Sequence, residues 1–179
     1  MRFTHLEGPF LNQEKLVSIS FELGELLKSK GYSFTCAESC TGGWVGHSLT
    51  SVPGSSKWFG SSFITYSYEA KTQILGVSSS DLDNFGAVSE EIVGQMVSGA
   101  LSKSGANVGV AISGIAGPTG GTETKPVGTV CFAWKVNDQE IVTSTEHFSG
   151  ERNDVRYFSV ERALLGTIML LKKFHPAQF

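Results

Sequence analysis

Two hydrophobic periods alternate along this chain, and that alternation restricts its fold class more than any other feature. "LNQEKLVSISFELGELLKSKG" sets Leu16, Ile19, Leu23, Leu26 and Leu27 on one helical stripe, with Gly31 placed to stop it. "YSFTCAES" reads as a short β run, and "TGGWVGHSLTSV" as a helix broken by Pro53 and Gly54. The pattern then repeats. "SSFITYS" is a second strand, "YEAKTQILG" one or two helical turns ending at Gly76, and "SSSDLDNFG" a capped turn or short helix. "VSEEIVGQMVSGALSKSG" is a helix with Ser89 as N-cap, Glu90 and Glu91 in its first turn and Gly105 past its end. "ANVGVAISGIAG" is a buried strand that runs into the glycine-rich "GPTGGTETKP". "VGTVCFAWKV" and "EIVTSTEHFS" flank "NDQE" as a hairpin, and a last helix runs from near Glu151 to Phe174, ahead of Pro176. The order α-β-α-β-α-α-β-β-β-α predicts an α/β fold, a single-domain αβα sandwich with a mixed parallel and antiparallel sheet. Residues 1–10 read as an irregular arm and 11–175 as one domain, with no internal repeat or linker between parts.

Bulk properties exclude several classes. The 179 residues suit one core. The net charge is -3, and no basic run exceeds the Lys172–Lys173 pair, which argues against a nucleic-acid partner. Cys36, Cys40 and Cys131 are odd in number and form neither a disulfide framework nor a CxxC motif. His5, His47, His147 and His175 lack the spacing of metal ligands. The N-terminal stretch has no apolar signal core, and no run of about 18 apolar residues spans a membrane. The expectation is a soluble, reduced, cytoplasmic protein.

Three stretches carry chemistry. "TCAESCTGG" crowds small nucleophiles and glycines where a strand hands over to a helix. A helix start offers unpaired N–H groups and a positive partial charge, so the backbone of Cys40, Thr41, Gly42 and Gly43 is a candidate oxyanion site. Gly42 and Gly43 would let a substrate approach the backbone. Ser39, Cys40 and Thr41 are each candidate nucleophiles, and Ser39 or Thr41 equally suits a plain helix cap. "TYSYEAK" follows the second strand; two parallel strands ending side by side would bring Tyr66 and Lys71 to Ser39. A lysine whose pKa is lowered by burial can take a serine's proton, and a tyrosine can position or relay it. His147 is the alternative base. "SGIAGPTGGTETKPVGT" exposes backbone N–H groups at Gly114, Gly117, Gly120 and Gly121 that suit a phosphate or carboxylate, although it is neither a Walker A motif nor GxGxxG. In "SGERNDVR", Arg152 and Arg156 share a helix face and suit the same anion.

Together "AESCTGG", "VPGSS", "YSYEAK", "GAVSEE", "SGIAGPTGG" and "KPVGTV" stand in the order found in one family. From Leu16 to Leu171 the chain resembles the CinA C-terminal domain family in its stand-alone amidase form. The resemblance implies hydrolysis of the carboxamide of nicotinamide mononucleotide to nicotinic acid mononucleotide and ammonia, which returns the nucleotide to NAD synthesis. It implies a serine nucleophile assisted by lysine and tyrosine, carried to Ser39, Lys71 and Tyr66, with the glycine loop and the two arginines toward substrate. It implies no metal or cofactor, and an oligomer, most often a homodimer. Family members often have "YSNEAK"; Tyr68 stands here in place of that asparagine, on the same strand face as Tyr66 if the strand continues. Some relatives carry a further N-terminal catalytic domain, whose pyrophosphatase activity is not carried over. The alternative from another class is a non-catalytic module binding a phosphorylated metabolite or a protein.

Overall fold

The structure, a computed structural model, describes residues 13–173. The expected arm at residues 1–10 and the expected helix end at Phe174 lie outside the described residues. The elements follow the order α1 (Gln13–Lys30), β1 (Phe34–Glu38), α2 (Trp44–Thr50), β2 (Phe59–Ile64), α3 (Tyr68–Leu75), α4 (Ser79–Phe85), α5 (Glu90–Ser104), β3 (Val108–Gly114), β4 (Thr129–Val136), β5 (Val142–His147) and α6 (Arg152–Lys173). Of the capped turn or short helix expected at "SSSDLDNFG" the structure has the short helix, so three helices separate β2 from β3 where the expected order counts two. Gly31, Gly76 and Gly105 end their helices with φ of 65, 71 and 67°. Ser89 occupies the N-cap position of α5, but its hydroxyl donates to the Gly86 carbonyl and caps no amide.

The sheet runs β2-β1-β3-β4-β5. β2, β1 and β3 are parallel; β4 and β5 are antiparallel, as the hairpin requires. α1, α2 and α6 cover one face, and α3, α4 and α5 the other, which makes the αβα sandwich.

The two faces differ in the size of their side chains. Toward α1, α2 and α6 point Phe34, Cys36, Val110, Ile112, Phe132 and Trp134, all in one core with Leu16, Leu23, Leu27, Leu49, Val160 and Leu164. Each such buried aliphatic or aromatic side chain contributes about 1.5–3 kcal/mol. The other face is paved with small residues. Ala37, Ala111 and Ala133 sit side by side across β1, β3 and β4. α5 lies low on this floor, with Ile92, Val93, Met96 and Val97 packed against the three alanines. A Cβ at Gly109 would stand 3.1 Å from Val97 Cγ2, and one at Gly99 would stand 2.0 Å from the Leu75 carbonyl oxygen. α5 therefore touches the sheet through Gly109 and the backbone of α3 through Gly99.

Two substitutions on one helix separate space from helix propensity. At Gly94 an added Cβ meets nothing within 4 Å, whereas at Gly99 it meets backbone. Gly94→Ala should raise stability by about 0.5–1 kcal/mol. Gly99→Ala should lower it by about 1–3 kcal/mol through overpacking. Urea midpoints of the two variants measure both signs in one assay.

Candidate active site

Glu38 ends β1 fully buried, and its carboxylate is surrounded by donors. Oε2 accepts from Thr41 Oγ1 at 2.7 Å, Gly43 N at 3.0 Å and Val45 N at 3.1 Å. Oε1 accepts from Gly46 N and Ser62 Oγ, both at 3.0 Å, with the Cys36 thiol at 3.6 Å. A side chain from the strand thus closes the start of α2 and ties it to β2. The turn between needs left-handed backbone: Gly42 and Gly43 have φ of 62 and 96°, and a Cβ on Gly43 would lie 2.8 Å from Ile64 Cδ1. Turn geometry accounts for both glycines; a Cβ on Gly42 would meet only Arg156 Nη2, at 3.7 Å. Nothing in the residue pattern alone separated Glu38 from an ordinary strand-end acid; its spacing of five to eight residues from the amides it caps was the available signal.

The backbone around Ser39 is fixed on both sides. Ser39 N donates to the Ile112 carbonyl at 3.0 Å, and Thr65 N donates to the Glu38 carbonyl at 2.9 Å. The parallel pairing of β1 with β2 brings the two strand exits together, as the motif spacing predicts. Lys71, on the first turns of α3, is fully buried. Its Nζ lies 3.1 Å from Ser39 Oγ, 2.8 Å from the Thr65 carbonyl and 3.4 Å from the Tyr66 carbonyl. Burial lowers its pKa to about 8, against a smaller upward pull from Cys40.

The three candidate nucleophiles separate here. Thr41 is committed to Glu38. Cys40 is buried, and burial pushes its thiol up to about 12, so it stays protonated. Ser39, 8% exposed, is the one of the three in contact with an amine. His147 stands exposed on β5, at the far edge of the sheet from β1.

The four candidate oxyanion amides also separate. Gly43 N–H is taken by Glu38, and Gly42 N–H donates to the Ser39 carbonyl at 3.1 Å. The helix-start amides of Val45 and Gly46 are likewise held by Glu38. The amide of Thr41 has no acceptor among the described residues, and that of Cys40 meets only its own thiol.

Tyr66 is 61% exposed, and its hydroxyl accepts from Arg152 Nη2 at 3.1 Å. The hydroxyl makes no bond to Ser39 or Lys71, so the expected proton relay through it is absent from the geometry; what Tyr66 brings to Lys71 is its backbone carbonyl, at 3.4 Å. Tyr68 is the first residue of α3, and its hydroxyl accepts from Ala87 N at 3.2 Å. The two tyrosines therefore diverge, because the strand has ended before Tyr68 and the alternation no longer applies. Arg152 Nη1 also donates to the Gly117 carbonyl at 2.6 Å, which brings the glycine loop to the same rim. Gly114 closes β3 against Val130; Gly117 and Gly120 hold φ of 81 and 92°. The amides of Gly117, Thr119, Gly120 and Gly121 have no acceptor among the described residues. Arg156 points elsewhere, to the carbonyls of Cys40 and Thr41. Among the described residues no three His, Cys, Asp or Glu side chains gather as a metal site, and no helix is long and apolar enough to cross a membrane.

Comparison with known proteins agrees on one family. The model of the CinA C-terminal domain matches residues 17–171. A relative from Enterobacter agglomerans, "Nicotinamide-nucleotide amidohydrolase PncC", is 48% identical over 158 residues, covering 86% of this chain and 96% of that protein. A "Putative competence-damage inducible protein" of Symbiobacterium thermophilum is 42% identical over 93% of this chain, which spans 40% of that longer protein. Among solved structures, the CinA superfamily protein KP700603 from Klebsiella pneumoniae superposes with a TM-score of 0.85 at 34% identity, covering 88% of this chain and 98% of that one.

Glu38→Gln offers a direct test of the turn. It places an NH2 against backbone amides that can only donate, and should cost about 3 kcal/mol of stability. Thermal and urea unfolding read the loss.

Proposed function

The chain belongs to the CinA C-terminal domain family, and on that footing we propose that it hydrolyses the carboxamide of nicotinamide mononucleotide through a serine acyl-enzyme. The observation that carries the mechanism is the 3.1 Å contact between Lys71 Nζ and Ser39 Oγ in a buried setting. The amidohydrolase named among the relatives supplies the substrate class.

The valences at Nζ support a base. The carbonyls of Thr65 and Tyr66 accept only, so Nζ must donate to each. A neutral amine has two N–H donors and one lone pair. With both donors spent on carbonyls, the lone pair faces Ser39 Oγ. Burial keeps the neutral form accessible near pH 8.

The steps follow. Lys71 takes the Ser39 proton as Oγ forms a bond to the amide carbon. The oxyanion is received by the amides of Cys40 and Thr41; one such donor is worth about 3–4 kcal/mol in other enzymes. The carbon–nitrogen bond then breaks, and Lys71 returns its proton to the departing ammonia. Water attacks the ester with Lys71 again as base, releasing the carboxylate product and restoring Ser39. Tyr66, Arg152 and the loop from Gly114 to Gly121 form the rim that receives the rest of the nucleotide, with the phosphate on the free loop amides and Arg152. Binding the phosphate orients the amide at Ser39. The product, nicotinic acid mononucleotide, is suited to re-entry into NAD synthesis.

Purified protein should release ammonia from nicotinamide mononucleotide, and Ser39→Ala should lose at least about 1000-fold in kcat. Near-normal turnover by Ser39→Ala would remove that residue from its role; binding without turnover by the wild type would favour a binding module. Lys71→Arg should also fail, since arginine stays charged.

The pH dependence has a definite sign. Lys71 must be neutral to act, so kcat/KM should rise as pH passes about 8 and level off above it. Stability moves the same way. A lysine pKa lowered in the folded state means that the unfolded chain binds more protons between about 8 and the usual lysine value. The cost of burying Lys71 therefore shrinks as pH rises through that window, and Lys71→Met should remove that part of the slope.

A further inference from the structure

Arg152 and Arg156 lie one turn apart on α6, and they are not equivalent. Sequence spacing assigns both to the substrate. Arg152 is exposed and meets the rim, at the Tyr66 hydroxyl and the Gly117 carbonyl. Arg156 is turned into the protein. Its Nε donates to the Cys40 carbonyl at 3.1 Å and its Nη2 to the Thr41 carbonyl at 3.0 Å. Nη1 reaches Asn153 Oδ1 at 3.4 Å, and the guanidinium carbon lies 5.3 Å from the centre of the Trp44 ring. All three nitrogens are engaged, and the two shorter bonds go to consecutive carbonyls of the turn that carries Ser39.

Peptide planarity gives this pairing a consequence. In a trans peptide the carbonyl and the following N–H point in opposite directions. With the Cys40 carbonyl turned to Arg156, the Thr41 N–H is turned away from it. The Thr41 carbonyl does the same to Gly42 N–H, which reaches back to the Ser39 carbonyl and closes the turn. The Thr41 amide is thus left pointing off the far side of the turn, with no acceptor among the described residues. A cation on the carbonyl also draws electron density through the same peptide and makes its N–H a better donor, by roughly 10–30% per bond in a chain of hydrogen bonds.

We infer that Arg156 is a positioning residue for the oxyanion site, which fixes and polarises the Cys40–Thr41 peptide and does not hold the phosphate. The inference rests on the amidase reading and divides the arginine pair into two roles. Arg152 serves the substrate rim; Arg156 serves the turn beside the nucleophile.

Steady-state kinetics of Arg156→Lys test the division, because a lysine cannot hold two consecutive carbonyls as a planar fork does. With nicotinamide mononucleotide, kcat should fall about 10–100-fold while KM stays within about threefold, the pattern of a misplaced transition-state donor. The ratio of kcat/KM for the mononucleotide over nicotinamide riboside, which lacks the phosphate, should be unchanged. A raised KM with normal kcat, together with collapse of that ratio, would make Arg156 a phosphate ligand and overturn the inference. Should Arg156→Lys fail to fold, Arg156→Gln carries the same expectation with one amide donor retained. A crystal structure of the folded variant gives a readout that needs no substrate. The Cys40 carbonyl should move from its place by about 1 Å or more, the scale at which catalysis is lost; an unmoved turn overturns the inference. If the wild type releases no ammonia, the amidase reading fails by itself, and the position of the turn still decides what Arg156 holds.

Discussion

One buried carboxylate holds the centre of this molecule. Glu38 is the last residue of β1, and its side chain folds forward over the turn that follows to receive the first amides of α2. A strand that enters a helix through a five-residue turn has a directional problem: the turn must reverse tightly, and the new helix must start with several unpaired N–H groups. Glu38 answers both. Its negative charge suits the positive end of α2, and its two oxygens collect donors from the turn, the helix and the neighbouring strand. The result is a rigid corner. Ser39 stands directly on it, held through its own amide to β3. The anion that such a corner could have taken from a ligand is already supplied from within. The amide left without an acceptor among the described residues is therefore that of Thr41, before the helix, and not one of the helix itself.

Lys71 works against the fold in a way that Glu38 does not. A buried amine with no carboxylate beside it loses hydration without a compensating ion pair. Among the described residues, two carbonyls and one hydroxyl are its hydrogen-bond partners. The same absence that makes the residue costly keeps the neutral form within reach, since a nearby carboxylate would stabilise the ammonium. Glu38 is close in sequence to Ser39, yet its oxygens face α2 on the opposite side of the sheet from α3. The alternation of β1 sends Cys36 and Glu38 one way and Ala37 and Ser39 the other, so the acid and the amine are kept apart by the pleat.

The elements were legible because their periods are clean. Leu16, Ile19, Leu23 and Leu27 on α1, and the glycines after α1, α3 and α5, mark helices that the structure contains. Parallel exits of β1 and β2 were legible too, and with them the meeting of Ser39 with Lys71. What failed to be legible concerns where side chains point once an element ends. Tyr66 is expected with Lys71 at Ser39, and its hydroxyl reaches Arg152; Tyr68 is expected to share a face with Tyr66, and its hydroxyl reaches Ala87. Both lie at a strand-to-helix junction, where period-two alternation stops and only three-dimensional packing decides direction. Arg156 failed for a related reason. Helical spacing put it on a face with Arg152, but not the distance of that face from the turn at Cys40. Glu38 is not legible as a cap because the known capping patterns place the capping side chain within three residues of the amide it receives, whereas this one lies five to eight residues ahead.

The small residues under α5 have a further consequence for the site. Ala37, Ala111 and Ala133 form a low floor, so α5 settles close to the sheet. α3 then packs against α5 with the Leu75 carbonyl facing Gly99, where no side chain keeps the two backbones apart. Lys71 is one turn before Leu75 and lies on the same side of α3, since residues four apart share a face. Sinking Leu75 therefore sinks Lys71. A long amine stem that elsewhere would run out to water is instead directed down beside β1 to the Ser39 hydroxyl. The depth of the amine, and so its lowered pKa, follows from the alanines and the glycine that let α5 and α3 settle. On this view the bland face of the sheet is as much a part of the chemistry as the glycine-rich turn: larger side chains at Ala37, Ala111 or Gly99 would lift α5 and α3 together, and with them Lys71 from Ser39.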